Sequence, residues 1–145
     1  MFRGMSTIRA RRTAALLSFA ALAAGAVPAL AATKNGIKPV SPKAGATVPA
    51  GSRPTFTGRV TGQGVIYVYV SKSPKRNKEG LIGKKEMIQK AKRTGKTFTT
   101  RARFFDYPEF WLNSPGTYYW QAHRINCGEG NDCNQEGPVV RFKVG

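Results

Sequence analysis

One histidine, two cysteines and seven acidic residues leave this chain of 145 little to build catalysis or metal binding from. With Cys127, Cys133 and His123 as the whole sulfur and imidazole inventory, a four-ligand zinc site needs added carboxylates. The acids are scattered, so no pair stands at a spacing suited to general acid–base work. No Gly-x-Ser-x-Gly elbow, no His-Glu-x-x-His and no full Gly-x-x-x-x-Gly-Lys-Ser/Thr phosphate loop occurs. The densest oxygen cluster is Glu129, Asn131 and Asp132, with Glu136 just beyond. Calcium takes six to eight oxygens, more than this short loop supplies, so a plain stapled loop is the preferred reading. The expectation is a non-catalytic protein with no cofactor, no metal and no small-molecule substrate. His123, on a strand and without a partner pattern, reads as a residue of the solvent-facing sheet surface.

Acidic poverty has a counterpart in 24 basic residues. Four of them, Arg3, Arg9, Arg11 and Arg12, open the chain. An apolar run from Ala14 to Val27 follows, then Pro28 and the small-x-small triplet Ala29-Leu30-Ala31. That order is the layout of a secretory signal peptide, read as residues 1–31 with its apolar part helical. The rival is a membrane span, which the uncharged length from Ala14 to Ala32 alone leaves open. Weakly apolar Ala and Gly, and the break at Pro28, favour the signal peptide. Cleavage after Ala31 leaves 114 residues, one domain's worth, with 20 basic and seven acidic side chains, a formal charge of +13. The expected location is outside the cell or on its envelope. Charge of this size favours acidic partners: phosphate-rich polymers, anionic cell-envelope glycopolymers or a membrane surface. Solubility alone is the competing explanation, and another exported protein is a further candidate partner for what reads as a monomer.

In oxidising surroundings the expected state of Cys127 and Cys133 is a disulfide. The five residues between them include Gly128, Gly130 and Asn131, so the loop can turn back on itself. Closing it contributes about 2.4 kcal/mol in the chain-entropy picture.

Residues 32–38 read as a flexible leader and 39–145 as the folded domain. The proline-dense stretch Pro39 to Pro49 predicts an edge strand with a turn at Lys43 to Gly45. Pro54 to Val60 alternates, with Phe56, Gly58 and Val60 on one side. Val65 to Val70 is the strongest strand signal, six β-branched or aromatic residues in a row, suited to a central strand. Its Tyr67 and Tyr69 share the face opposite Ile66, Val68 and Val70. With Tyr119 they suggest either a stacking surface for sugar or peptide, or, the preferred reading, cross-strand pairs that stabilise the sheet. Lys96 to Phe104 alternates again, with Phe98, Thr100, Ala102 and Phe104 inward. Asp106 to Leu112 fits one helical turn with Asp106 as its cap. Tyr118 to Ile125 and Pro138 to Val144 supply the last two strands, with Val140, Phe142 and Val144 inward. The count is six or seven short strands, a sandwich pattern.

The stretch Leu112-Asn113-Ser114-Pro115-Gly116-Thr117-Tyr118-Tyr119-Trp120 resembles the penultimate strand of fibronectin type III and related immunoglobulin-like domains of bacterial exported proteins. Pro42 to Val48 is similar to their first strand, and Gly137 to Phe142 to their last. The resemblance spans Pro39 to Val144 and implies an immunoglobulin-like β-sandwich. It implies that Tyr118 is the corner tyrosine, its hydroxyl tied to the preceding loop, and that Trp120 is a core residue. Alternation along their own strands adds Phe56 and Phe142 to the expected core. Family membership of this kind conveys no function.

Three departures from the pattern remain: the Cys127–Cys133 loop, Phe110-Trp111 before the Pro-Gly turn, and the basic segment Lys72 to Lys96. That segment carries Lys75, Arg76, Lys78, Lys84, Lys85, Lys90, Lys92 and Arg93. A loop leading to a short edge strand is the preferred reading, with helix or strand open for residues 80–93. One function for it is a patch that neutralises an anionic polymer, salt-dependently and without regard to sequence. The other is a solvated edge whose lysines prevent sheet-to-sheet association. The primary expectation is a secreted, non-catalytic β-sandwich that binds or decorates a surface, and the alternative is polyanion binding through this segment.

Overall fold

The computed structural model describes residues 32–83, 85–102, 112, 114–128 and 133–145, and only the backbone of 85 and 86. Among these residues there is no helix, and nine strands form. They are β1 (Ile37–Ser41), β2 (Thr47–Val48), β3 (Thr55–Val60), β4 (Val65–Ser71), β5 (Lys85–Lys90), β6 (Lys92–Thr94), β7 (Thr97–Arg101), β8 (Gly116–Ile125) and β9 (Asn134–Val144). One sheet runs β1-β3-β7-β6 and the other β2-β9-β8-β4-β5. All named pairings are antiparallel except the short parallel contact of β2 with β9.

Alternation decides which side chains face the other sheet. Phe56, Gly58 and Val60 of β3, Phe98 and Thr100 of β7, and Ile66, Val68 and Val70 of β4 are all buried, as their spacing predicts. Phe56 touches Trp120 and Phe142 edge-on across the gap, with ring centroids 5.4 and 6.0 Å apart. Burying each such ring contributes roughly 1.5–3 kcal/mol. The Trp120 indole N–H donates to the Pro42 carbonyl at 3.0 Å, so the buried ring leaves no polar group unpaired. The Tyr118 hydroxyl donates to the Ser114 carbonyl at 3.0 Å, back across the Pro-Gly turn. Gly58 has no room for a side chain, since a Cβ there would stand 2.3 Å from Phe98 Cζ and 2.8 Å from the Lys38 carbonyl oxygen.

Strand number differs from the six or seven expected, for two reasons. Pro49 ends β2 after two residues, too short to announce itself in the sequence. The basic segment yields two strands rather than one: the chain leaves the five-stranded sheet after Lys90 and joins the four-stranded sheet at Lys92. Ala91 pins the crossing by donating its N–H to the Ile66 carbonyl at 2.8 Å. The domain boundary also moves. Ile37, read as leader, is fully buried and begins β1. Lys34 pairs with it across the Asn35-Gly36 turn.

Residues 72–83 lie on the outer face of the five-stranded sheet. Leu81 and Ile82 pack there with Tyr69, and with the partly buried Tyr67 and Val139. Asn77 folds the loop by accepting the N–H groups of Glu79 and Leu81 on its Oδ1, at 3.0 and 2.9 Å. This cover corrects the reading of His123. Alternation does turn it away from the core, but the loop buries it to 4% exposure, and its Nδ1 shares a hydrogen bond with the Tyr69 hydroxyl at 2.9 Å. The same burial removes Tyr69 from any open stacking surface. Burial first, and then the neighbouring Tyr67, push the Tyr69 hydroxyl above its ordinary pKa.

Candidate functional site

The outer face of the four-stranded sheet is polar at every paired position. Registers place Lys38, Arg59, Thr97 and Thr94 in one row across β1, β3, β7 and β6. The next row is Ser41, Thr57, Thr99 and Lys92, and a third holds Thr55 and Arg101. Four cations, five threonines and a serine thus share one surface, with no carboxylate in any row. Strand spacing and rise make it about 14 by 15 Å. Thr57 and Thr99 are half-buried and the others exposed.

Electrostatics make this arrangement unfavourable on its own. Lys38 stands directly opposite Arg59, and like charges in that relation destabilise a sheet. Among the described residues the one ion pair is Lys34–Glu136, at 2.6 Å. The face therefore offers ammonium, guanidinium and hydroxyl donors together, a set suited to holding phosphate, sulfate or carboxylate oxygens.

At one edge the face runs into a groove of about 500 Å³ between the two sheets. Lys90 and Lys92 meet Arg101, Thr55 and Thr99 around it, with Ile88 and Gln89 of β5 on the opposite wall. Of the basic segment, then, the structure brings Lys90 and Lys92 to a common site. Lys75, Arg76 and Lys78 are exposed on the 72–83 loop and do not line the groove. Lys84, like the side chain of Lys85, lies outside the described residues, as do 1–31, 103–111 and the Glu129, Asn131 and Asp132 cluster. Arg93 is not available as a free cation. Its guanidinium donates to the carbonyls of Gly95 at 3.0 Å and Gly64 at 3.1 Å, and to that of Gly62.

Arg124 works beside it. Buried on β8, it donates to the carbonyls of Thr61 and of Asn35, the latter at 2.9 Å, and to Gln135. Burial, and then the charge of Arg93, lower its pKa from the ordinary guanidinium value. The turn at 61–64 has to be glycine-rich for this: at Gly64, where φ is +124°, a Cβ would stand 2.7 Å from Arg124 Cγ. Cys127 and Cys133 are bonded, with Cα atoms 5.5 Å apart, just past the β8 end of the β8–β9 hairpin.

No family model, curated protein or solved structure matches the chain. The face must be read from its own chemistry. Its threonines and arginines escaped the sequence reading because each strand shows only a polar side, and Thr55, Thr57 and Arg59 look like ordinary solvated positions. The available signal was their recurrence: Thr-Phe-Thr stands both at Thr55 to Thr57 and at Thr97 to Thr99. Pairing these segments makes one surface of two.

Proposed function

We propose that the protein is an exported, non-catalytic binding module of the immunoglobulin-like kind that holds an acidic polymer on the outer face of its four-stranded sheet. The observation that carries this is the composition of the three cross-strand rows, Lys, Arg, Thr and Ser throughout, where a sheet surface kept only for solubility would mix both signs of charge. Export is supported by the basic, apolar, small-residue order of residues 1–31 and by the disulfide.

Strand order supports the finer fold reading. Constant-type immunoglobulin sandwiches place strands A, B, E and D in one sheet and G, F and C in the other, and variable types add a strand beside C. Lettered in chain order with the split first strand as A and A′, β1-β3-β7-β6 and β2-β9-β8-β4-β5 follow that arrangement. The Tyr118–Ser114 hydrogen bond behaves as a tyrosine corner does. Where antibody domains join strands B and F by a disulfide, β3 and β8 here are joined by the Phe56–Trp120 contact.

Titration of the oxidised protein with long-chain polyphosphate over a range of salt tests the reading. Binding should weaken steeply with salt, and Arg59→Glu with Arg101→Glu should lower affinity at least tenfold and flatten the salt slope. Lys78→Glu, on the other sheet's cover, should change affinity less than threefold. Equal loss in both variants, or no binding at low salt, would sink the proposal.

A further inference from the structure

The five-stranded sheet also turns cations outward. Alternation sends Val140, Phe142 and Val144 of β9 into the core and leaves Arg141 and Lys143 exposed on the other side. Register sets Thr47, Lys143 and Thr117 in one row across β2, β9 and β8, and Arg141 opposite Tyr119 in the next. The 72–83 loop packs farther along this face, over Tyr69 and Val139. Thr47 is exposed, and Thr117 and Tyr119 are half-buried. No acidic residue takes part in these pairings, and the one ion pair among the described residues, Lys34–Glu136, involves neither cation. Arg141 and Lys143 stand two residues apart on one side of β9, about 7 Å by strand rise, and repel each other. Guanidinium, ammonium and hydroxyl donors are thus gathered here as they are on the four-stranded sheet.

We propose that Arg141 and Lys143 form a second seat for the same acidic polymer, so that one domain, cationic on both outer faces, ties two polymer chains together. Sheets in a sandwich pack about 10 Å apart, and the side chains of the two outer faces extend away from each other on opposite sides. Their charges are therefore separated by more than the Debye length of about 8 Å at physiological salt, and the faces bind independently. A chain held on the four-stranded sheet leaves Arg141 and Lys143 in water, able to take another. Two cations against the four of the first face make the second seat the weaker. It adds little to the tight binding of one chain and fills at higher polymer concentration.

This second seat rests on the reading that the four-stranded face holds an acidic polymer, so stoichiometry and affinity are measured together. The oxidised protein is titrated with short-chain polyphosphate, and the saturated complex is sized by sedimentation. One domain with two chains is the expected species, and long-chain polyphosphate should be cross-linked into particles that scatter light. Arg141→Glu with Lys143→Glu should leave one chain per domain and cut scattering at least fivefold, with affinity at the tight site within threefold of the parent. Lys75→Glu with Lys78→Glu lowers the net charge equally and should keep the two-chain complex and the scattering. If the parent binds a single chain, or if the Arg141 and Lys143 variant still binds two, the second seat is overturned and the reading of the four-stranded face stands. A tenfold loss at the tight site in that variant would overturn the independence of the two faces. Equal loss of scattering in both variants would assign it to charge neutralisation and overturn cross-linking. If polyphosphate does not bind at all, both readings fall.

Discussion

The guanidinium of Arg93 reaches out of β6 to the carbonyl of Gly64, 3.1 Å away in the turn between β3 and β4. It closes one end of the sandwich there, and it takes out of circulation a cation that counting alone assigns to the surface. Lys92, its neighbour, remains exposed beside the groove. The difference is alternation: Arg93 pairs with inward-facing Phe98, Lys92 with outward-facing Thr99.

Arg93→Lys should therefore cost stability and leave binding alone. A lysine carries the charge but lacks the planar fork that serves Gly62, Gly64 and Gly95 together. Chemical denaturation should show a loss of about 1–2 kcal/mol, partly exposed as the site is. Polyphosphate affinity should stay within about twofold of the parent, whereas Arg101→Glu lowers it. A large drop in affinity for Arg93→Lys would place this residue in the binding surface after all.

The cover over the five-stranded sheet depends on Gln121. Fully buried, it accepts the Ile82 N–H at 3.0 Å and donates to the carbonyls of Gly80 and Gly137 at 3.0 and 2.9 Å. Gln121→Leu keeps the bulk but leaves three backbone groups without partners, at a cost on the order of 3 kcal/mol. Amide exchange at Leu81 and Ile82 should rise before the strands unfold. If exchange there and in β8 rises together, the loop is not an independently held cover.

Glu136 ties the first turn and this cover to β9. Burial on its own would raise its pKa, but the hydrogen bond from Lys34, one from its own backbone and the charges of Lys34 and Arg76 prevail, and the carboxyl sits below its ordinary range. A carboxylate depressed in the folded state contributes stability above its unfolded pKa, about 4.3, and loses it as pH falls through the lower folded value. The stability difference between the parent and Glu136→Gln should be constant near neutrality and shrink progressively below about pH 4.3. A difference that grows on acidification would contradict this assignment.

How far the sequence could be read follows from the range of the interactions involved. Strands whose signal is local alternation, Phe56 with Val60 and Phe98 with Thr100, stand where the pattern puts them, and Tyr118 and Trp120 are buried as the resemblance implies. What escaped was every feature made by bringing distant segments together. His123 is buried because Leu81 and Ile82, about forty residues earlier in the chain, come to lie over its sheet. Arg93 is consumed by a turn thirty residues before it. The cationic face exists only once β3 is paired with β7 at Thr57 and Thr99. Periodicity assigns a side chain to a face, but register alone tells which other side chains share that face.

The like-charge pair Lys38–Arg59 offers the sharpest test of whether that face is kept for a partner. Opposed cations across a strand pair cost roughly 0.2–1 kcal/mol relative to neutral residues, and opposite charges gain as much. Lys38→Glu should therefore stabilise the free protein, raising the thermal midpoint by about 2–4 °C for a domain of this size. The same change should weaken polyphosphate binding severalfold, because it places a carboxylate in the row with Arg59. Opposite signs in the two measurements are the signature of a site kept at the expense of stability. A variant that gains stability and binds as the parent does would reduce the three rows to ordinary surface, and one that loses both would show that Lys38 is held in place by contacts other than the sheet pairing.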